Sequence, residues 1–148
     1  MSKVQNVAIL GASGSLGSHI TNALLKTGRF TVTAISREES KATFPAEVKV
    51  TRGDLNSTSF LESALKNQHV LISTPAFGTD PSLELRVFDA AAKAGVPWIL
   101  PNDFGSDVSS PKLQGKGIPV FDAKIAATEH IEKLGVAKWI GTSLKCNF

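Results

Sequence analysis

The chain has 148 residues, 42% of them hydrophobic and 20% charged, with a formal net charge of +3 and one cysteine. That length suits one domain with a real core, and the composition is ordinary for a soluble globular protein and suggests neither disorder nor a membrane span. No apolar run approaches the roughly 20 residues that span a bilayer. Met1-Ser2-Lys3-Val4-Gln5-Asn6 leads straight into a short apolar run without the layout of a secretory signal, so a cytoplasmic protein is expected. Cys146 alone cannot form an internal disulfide. The lysines and arginines are scattered rather than clustered with aromatics, which argues against nucleic acid and leaves a bias toward anionic small molecules.

Apolar strands alternate with helical stretches along the chain, the pattern of a parallel sheet covered by helices. Val4 to Leu10 reads as a strand buried on both faces. A helix follows from about Gly14 to Lys26, with Leu16, Ile20, Ala23 and Leu24 at helical spacing and Gly28 as its stop. Phe30 to Ser36 is a second strand and Val48 to Thr51 a short third. Gly53-Asp54 then leads into a helix whose Ser59-Phe60-Leu61-Glu62 resembles a capping box. Val70 to Ser73 is the fourth strand. Asp80 is placed to cap the next helix, with Pro81 at its first position, Leu83, Val87, Ala90 and Ala94 inward, and a stop at Gly95. Trp98 to Leu100 is the fifth strand. A loop rich in Ser, Pro, Gly and Lys runs from Asn102 to Pro119, a helix from about Val120 to Leu134, and a sixth strand from Trp139 to Leu144. The expected architecture is α/β, a doubly wound Rossmann fold with a mainly parallel six-stranded sheet of order 3-2-1-4-5-6.

Gly11-Ala12-Ser13-Gly14-Ser15-Leu16-Gly17 ends the first strand and opens the first helix, which is the context a phosphate-binding loop requires. Gly11 permits the tight turn, Gly14 a close approach of backbone to a pyrophosphate, and Gly17 close packing of helix on strand. The phosphates of a dinucleotide would meet N–H groups at the positive end of the helix, bringing Ser13, Ser15 and Leu16 into the candidate set. The loop is not of the Walker kind, because no Gly-Lys-Ser or Gly-Lys-Thr follows, and no Gly-x-Ser-x-Gly nucleophile elbow occurs. Arg37 stands where the second strand closes and meets the adenosine ribose. A guanidinium there suits a 2′-phosphate, where an acid would suit a 2′-hydroxyl. Lys41 could add a second positive charge, whereas a slip of one residue would offer Glu38 instead. Asp54 is placed to approach the adenine or to cap a helix. Ser73-Thr74-Pro75, expected beside the nicotinamide half, and Pro101, Asn102 and Phe104 lie at the carboxyl edge of the sheet, where ligands bind.

Lys124 is the most informative single residue. Val120, Phe121, Ile125, Ala127, Thr128, Ile131 and Leu134 form one broad helical face with Lys124 in its middle, while Asp122, Glu129, His130 and Lys133 take the other side. Such a lysine either snorkels to an edge or is held beside a ligand, where it could exchange a proton. The chain has no tyrosine, which excludes a Tyr-x-x-x-Lys mechanism, and Val120 stands where the phenol would be needed. His19, His69 and His130 show no metal spacing and suggest structural or surface roles.

Taken together, these residues resemble the atypical short-chain dehydrogenases of the isoflavone reductase and NmrA-like family, from Val7 to the end of the chain. Arg37-Glu38 resembles the family's Val-Arg-Glu segment, Pro101-Asn102-Asp103-Phe104-Gly105-Ser106-Asp107 its Pro-Ser-Glu-Phe-Gly-x-Asp segment, and Phe121-Asp122-Ala123-Lys124 its Phe-Glu-Val-Lys. The resemblance implies an NADP(H)-binding oxidoreductase that passes hydride to a small organic substrate, with Arg37 reading the NADP phosphate and Lys124 as catalytic residue. Asn102 and Asp103 replace the usual Ser and Glu, and Trp98 stands where a basic residue is frequent. Family members continue into a C-terminal region that builds most of the substrate pocket. Residues 1–148 are therefore expected to be the NAD(P)-binding domain without that region, leaving a sheet edge for a second copy or a partner protein to cover. A non-catalytic NADP(H)-sensing module and an inactive fragment are the alternatives.

Overall fold

The computed structural model describes residues 3–76, 78–105, 117–135 and 137–141. Strands β1 (Asn6–Leu10), β2 (Thr31–Arg37), β3 (Lys49–Gly53), β4 (Val70–Ser73), β5 (Trp98–Leu100) and β6 (Lys138–Trp139) form one sheet. Its order is β3-β2-β1-β4-β5-β6, and every pair is parallel. Helices α1 (Ser15–Lys26), α2 (Thr58–Leu65), α3 (Pro81–Lys93) and α4 (Pro119–Leu134) occupy the crossovers, and the β2 to β3 connection is an irregular loop. The expected doubly wound topology is therefore observed.

Alternation along the strands feeds two apolar layers. Ala8, Leu10, Ile35 and Leu71 point into a cluster closed by Leu61, Leu65, Val87, Phe88 and Ile131 from α2, α3 and α4. Val7, Ile9, Val32, Ala34 and Ile72 point the other way, against Ile20, Leu24 and Leu25 of α1 and Phe44 of the β2–β3 loop. Burial on both faces accounts for the continuous apolar runs of β1 and β2. In register, Leu10 lies opposite Ile35 on one side and Ser73 on the other. β1 and β4 thus end level, β2 runs two residues further to Arg37, and the loops that leave them converge at one carboxyl edge.

Several boundaries differ from expectation for identifiable reasons. β3 runs on to Gly53, because its pairing follows β2 out to Arg37. α2 is capped by Ser57, whose hydroxyl accepts from the Phe60 N–H at 3.3 Å, and the proposed box at Ser59 lies inside the helix. Asp80 caps α3 as expected, accepting from the Ser82 N–H at 2.9 Å with Pro81 in the first turn. α4 ends at Gly135, which takes the left-handed conformation (φ 64°). β6 covers Lys138–Trp139; positions 142–144 of the expected strand, Cys146 and Ser106-Asp107 lie outside the described residues. Among the described residues no helix is long and apolar enough to cross a membrane.

Candidate functional site

The turn from β1 into α1 is shaped by its glycines and by Thr74. Gly11 has φ +82°, and a Cβ there would overlap the Thr74 carbonyl. A Cβ at Gly17 would overlap the Gly11 carbonyl and approach the Thr74 hydroxyl to 2.8 Å. Helix and strand therefore touch at backbone distance. Thr74 secures the turn from the neighbouring strand: its hydroxyl donates to the Leu10 carbonyl at 2.9 Å and to the Gly11 carbonyl at 3.3 Å. Gly14 is the N-cap of α1, with extended backbone and no side chain to cap the helix. The N–H groups of the first helical turn, which have no partners within a helix, are thus left for another acceptor. Ser13, Gly14, Ser15 and Leu16 are exposed, and the first turn carries no acidic residue.

Two cavities open along this edge. The first, of about 290 Å³, runs from Gly11, Ser13 and Gly14 past Ile35 and Ser36 to Arg37, with Ser40, Phe44, Leu55 and Leu83 as further walls. The second, of about 330 Å³, is lined by Glu84, Asn102, Val120, Ala123 and Lys124. Pro75, Ala76 and Thr79 belong to both and join them.

Lys124 is largely enclosed, with 15% of its side chain exposed. Its Nζ lies 3.9 Å from Oδ1 of the similarly buried Asp103 and donates to the Phe104 carbonyl at 3.4 Å. Glu84 steadies the same loop by accepting from the Asn102 N–H at 3.0 Å. Asp80, on the wall of this cavity, is held below the usual carboxylate range by hydrogen bonds from the Ser82 hydroxyl and N–H, with Arg86 adding a favourable charge.

The expected site residues distribute unevenly. Gly11, Ser13, Gly14, Arg37 and Thr74 line the first cavity, and Asn102 and Lys124 the second. Arg37 is exposed and pairs with Glu39 at 3.7 Å. Ser73 instead is fully buried and lines neither, because it shares the face of Leu71 that α2 and α3 seal. Thr74 faces the glycine turn rather than the second cavity's lysine. Asp54 is occupied in a local turn, accepting from the Asn56 N–H at 2.8 Å. Lys41 is exposed and lines neither cavity, Pro101 is buried, and the Phe104 side chain packs in the α1-side layer. Val120, expected inward, is 40% exposed and overhangs the second cavity. His130 half-buries against α3, 2.7 Å from Asp89. Ser40, Phe44, Leu55 and Thr79 were not legible as cleft residues, because they come from separate segments with no shared spacing, and the spacing of Leu83 marked it only as core-facing.

A glycine-rich turn at a helix N-terminus, on the carboxyl edge of a parallel sheet ordered 3-2-1-4-5-6, defines a Rossmann-type nucleotide-binding fold. The NmrA-like family model matches residues 3–148, and the chain belongs to that family. It is 41% identical over 126 residues to oxidoreductase aprR of Aspergillus flavus, covering 84% of this chain and 42% of that protein. It is 28% identical to isoflavone reductase of Cicer arietinum, covering 92% of this chain and 49% of the other. Among solved structures it superposes on AtPrR2 with NADP+ and (+)pinoresinol, with TM-score 0.80, 24% identity and coverage of 99% and 51% of the two chains. The Citrobacter sp. triphenylmethane reductase complexed with NADP(H) gives 0.73, 24%, and 93% and 49%. The chain thus spans about half the length of the curated relatives it matches.

Proposed function

We propose that this chain is the NADP(H)-binding domain of an NADPH-dependent reductase acting on a small organic substrate. The observation that carries the proposal is the wall of Pro75, Ala76 and Thr79 shared by the glycine-turn cleft and the Lys124 cavity. One elongated ligand could reach from the helix N-terminus to an enclosed ammonium. The residues suit such a ligand: the α1 N-terminus lacks a side-chain cap, Gly14 presents bare backbone, and Arg37 offers a guanidinium at the far end. The relatives point the same way: one is named an oxidoreductase and one an isoflavone reductase, and two similar structures, AtPrR2 and the Citrobacter sp. triphenylmethane reductase, hold NADP+ and NADP(H).

When bound, NADPH would supply the hydride. The chain's own part is to bind, orient and handle a proton. Gly11, Ser13, Gly14, Ser15, Leu16 and Gly17 would cradle the pyrophosphate, and Arg37, with the exposed Lys41 four positions on as a second positive charge, would meet the 2′-phosphate. Asn102 lines the Lys124 cavity, and there Lys124, donating to the Phe104 carbonyl at 3.4 Å and steadied by the Asp103 carboxylate 3.9 Å away, would hold or pass a proton at Nζ. A region equivalent to the remainder of the relatives would complete the substrate pocket over that cavity, and a second copy or partner could cover the adjoining sheet edge.

The test is Lys124→Met in the full-length protein that carries this chain, assayed for NADPH oxidation with carbonyl and enone substrates. Turnover is expected to fall by roughly 10²–10⁴ while NADPH affinity stays near normal. Unchanged turnover would leave Lys124 a structural residue.

A further inference from the structure

The loop that joins β2 to β3 has no regular structure, yet it provides Ser40 and Phe44 to the wall of the glycine-turn cleft. The end of β2 and the start of this loop, Arg37-Glu38-Glu39-Ser40-Lys41, carry both signs of charge within five positions. The conformation of this segment therefore decides which sign faces the ribose end of a bound nucleotide. In the structure Arg37 lines the cleft, and Glu39 lies 3.7 Å from its guanidinium.

One side chain outside the segment grips it. Arg52, on the edge strand β3, donates from Nη2 to the Ala42 carbonyl at 2.7 Å and from Nε to the Ser40 carbonyl at 3.3 Å. Its guanidinium carbon also sits 5.8 Å from the centre of the Phe44 ring. The fork thus spans the loop from Ser40 to Phe44 and packs against the ring that walls the cleft. Inside the loop, the Ser40 N–H donates to the Arg37 carbonyl at 3.1 Å, and the Ser40 hydroxyl accepts from the Ala42 N–H at 3.3 Å. Arg52 is therefore coupled to Arg37 through two successive hydrogen bonds, from its Nε to the Ser40 carbonyl and from the Ser40 N–H to the Arg37 carbonyl. The Ser40 hydroxyl, accepting from Ala42, keeps its own proton to donate.

We propose that Arg52 is a positioning residue for selectivity between phosphorylated and unphosphorylated nucleotides: its fork fixes the β2–β3 loop so that Arg37 and the Ser40 hydroxyl, rather than Glu38 or Glu39, meet a 2′-phosphate. The proposal rests on the dinucleotide function proposed above and adds a residue that need not touch the nucleotide. Arginine fits the task because a planar fork can donate to two carbonyls and stack on a ring together, whereas an ammonium lacks the second fixed donor and the planar face.

The experiment titrates 2′,5′-ADP and 5′-AMP into the chain and its Arg52→Gln, Arg52→Lys and Arg37→Ala variants, with thermal melts of each. Arg52 is exposed on an edge strand, so the variants are expected to stay folded. Arg52→Gln should weaken 2′,5′-ADP by about fivefold or more and leave 5′-AMP within about twofold. Arg52→Lys, which keeps the charge but loses the fork, should restore less than half of that loss on a logarithmic scale. An unchanged affinity ratio in Arg52→Gln overturns the proposal. So does a full recovery by lysine, which would make Arg52 a plain charge on the phosphate, and so does equal weakening of both nucleotides, which would make it a general prop. Arg37→Ala separates the two levels: if it too leaves the ratio unchanged, the 2′-phosphate site itself lies elsewhere.

Discussion

Gly14 and Gly17 stand three residues apart in the same turn, yet substitution should affect them in opposite ways. At Gly17 an added Cβ would overlap the Gly11 carbonyl and press on the Thr74 hydroxyl. Both belong to backbone or to a side chain held by hydrogen bonds, so neither can yield cheaply. Gly17→Ala should therefore cost about 3 kcal/mol, at the upper end of overpacking penalties, or roughly 6–12 °C in Tm for a domain of this size. At Gly14 the backbone is extended, φ −71° and ψ 174°, and the nearest atom to a Cβ is the Gly11 carbonyl oxygen at 3.2 Å. Relief there requires a shift of a few tenths of an ångström, so Gly14→Val should cost about 1 kcal/mol, including the poorer N-cap. Its side chain would nevertheless project over the exposed first turn of α1, the proposed seat of the pyrophosphate. Thermal melts and NADPH titration of both variants form the assay. Gly14→Val should fold and lose dinucleotide affinity by more than about tenfold, while Gly17→Ala should melt early. A Gly14→Val protein that bound NADPH normally, or a Gly17→Ala protein as stable as the parent, would refute the geometry of the turn.

Asp80 is held ionised by Ser82 and Arg86, so its carboxyl is lowered in the folded state. The stability it contributes is full above its unfolded value, near 3.8, and is lost as pH falls through the lower folded value. Acid titration of the melting temperature should accordingly show a steeper decline below that pH for the parent than for Asp80→Ser, and parallel curves would refute the assignment. His69 accepts the backbone N–H groups of Gln5 and Asn6 through Nδ1, each at 3.1 Å. His69→Leu should therefore cost about 1–2 kcal/mol in chemical denaturation, with no change in nucleotide affinity. The His130–Asp89 contact at 2.7 Å joins α4 to α3, but the two side chains are 30% and 44% exposed. A double-mutant cycle should return a coupling of only about 0.5–1 kcal/mol.

The strands and the glycine turn were legible in the sequence for physical reasons that act locally. β1 and β2 are buried on both faces and so read as apolar runs, and Gly11 and Gly17 fill places where a side chain would collide with Thr74 or the Gly11 backbone. The interior lysine was legible too, since Ile131 and Ala127 on its helix are buried as their spacing required. What could not be read was the outcome of local competitions and of long-range convergence. Ser57 and Ser59 are both fit to cap α2, and their positions differ only in where the Asp54 turn delivers the chain. Ser73 and Thr74 are consecutive polar residues at a strand end, but alternation buries one under α2 and α3 and sets the other against the glycine turn. The grip of Arg52 on the loop ahead of it depends on the pairing of β3 with β2, which no spacing announces.

The most direct measurement is calorimetric titration of NADPH and NADH into the chain and into Arg37→Ala. Arg37 lies on the cleft wall at the end of β2, where a charge-assisted contact to a 2′-phosphate would be worth about 1.5–3 kcal/mol. NADPH should bind roughly tenfold more tightly than NADH or better, and Arg37→Ala should remove most of that preference while leaving NADH affinity nearly unchanged. Equal affinities in the parent, or a preference that survives the loss of Arg37, would contradict the assignment of this cleft to NADP(H).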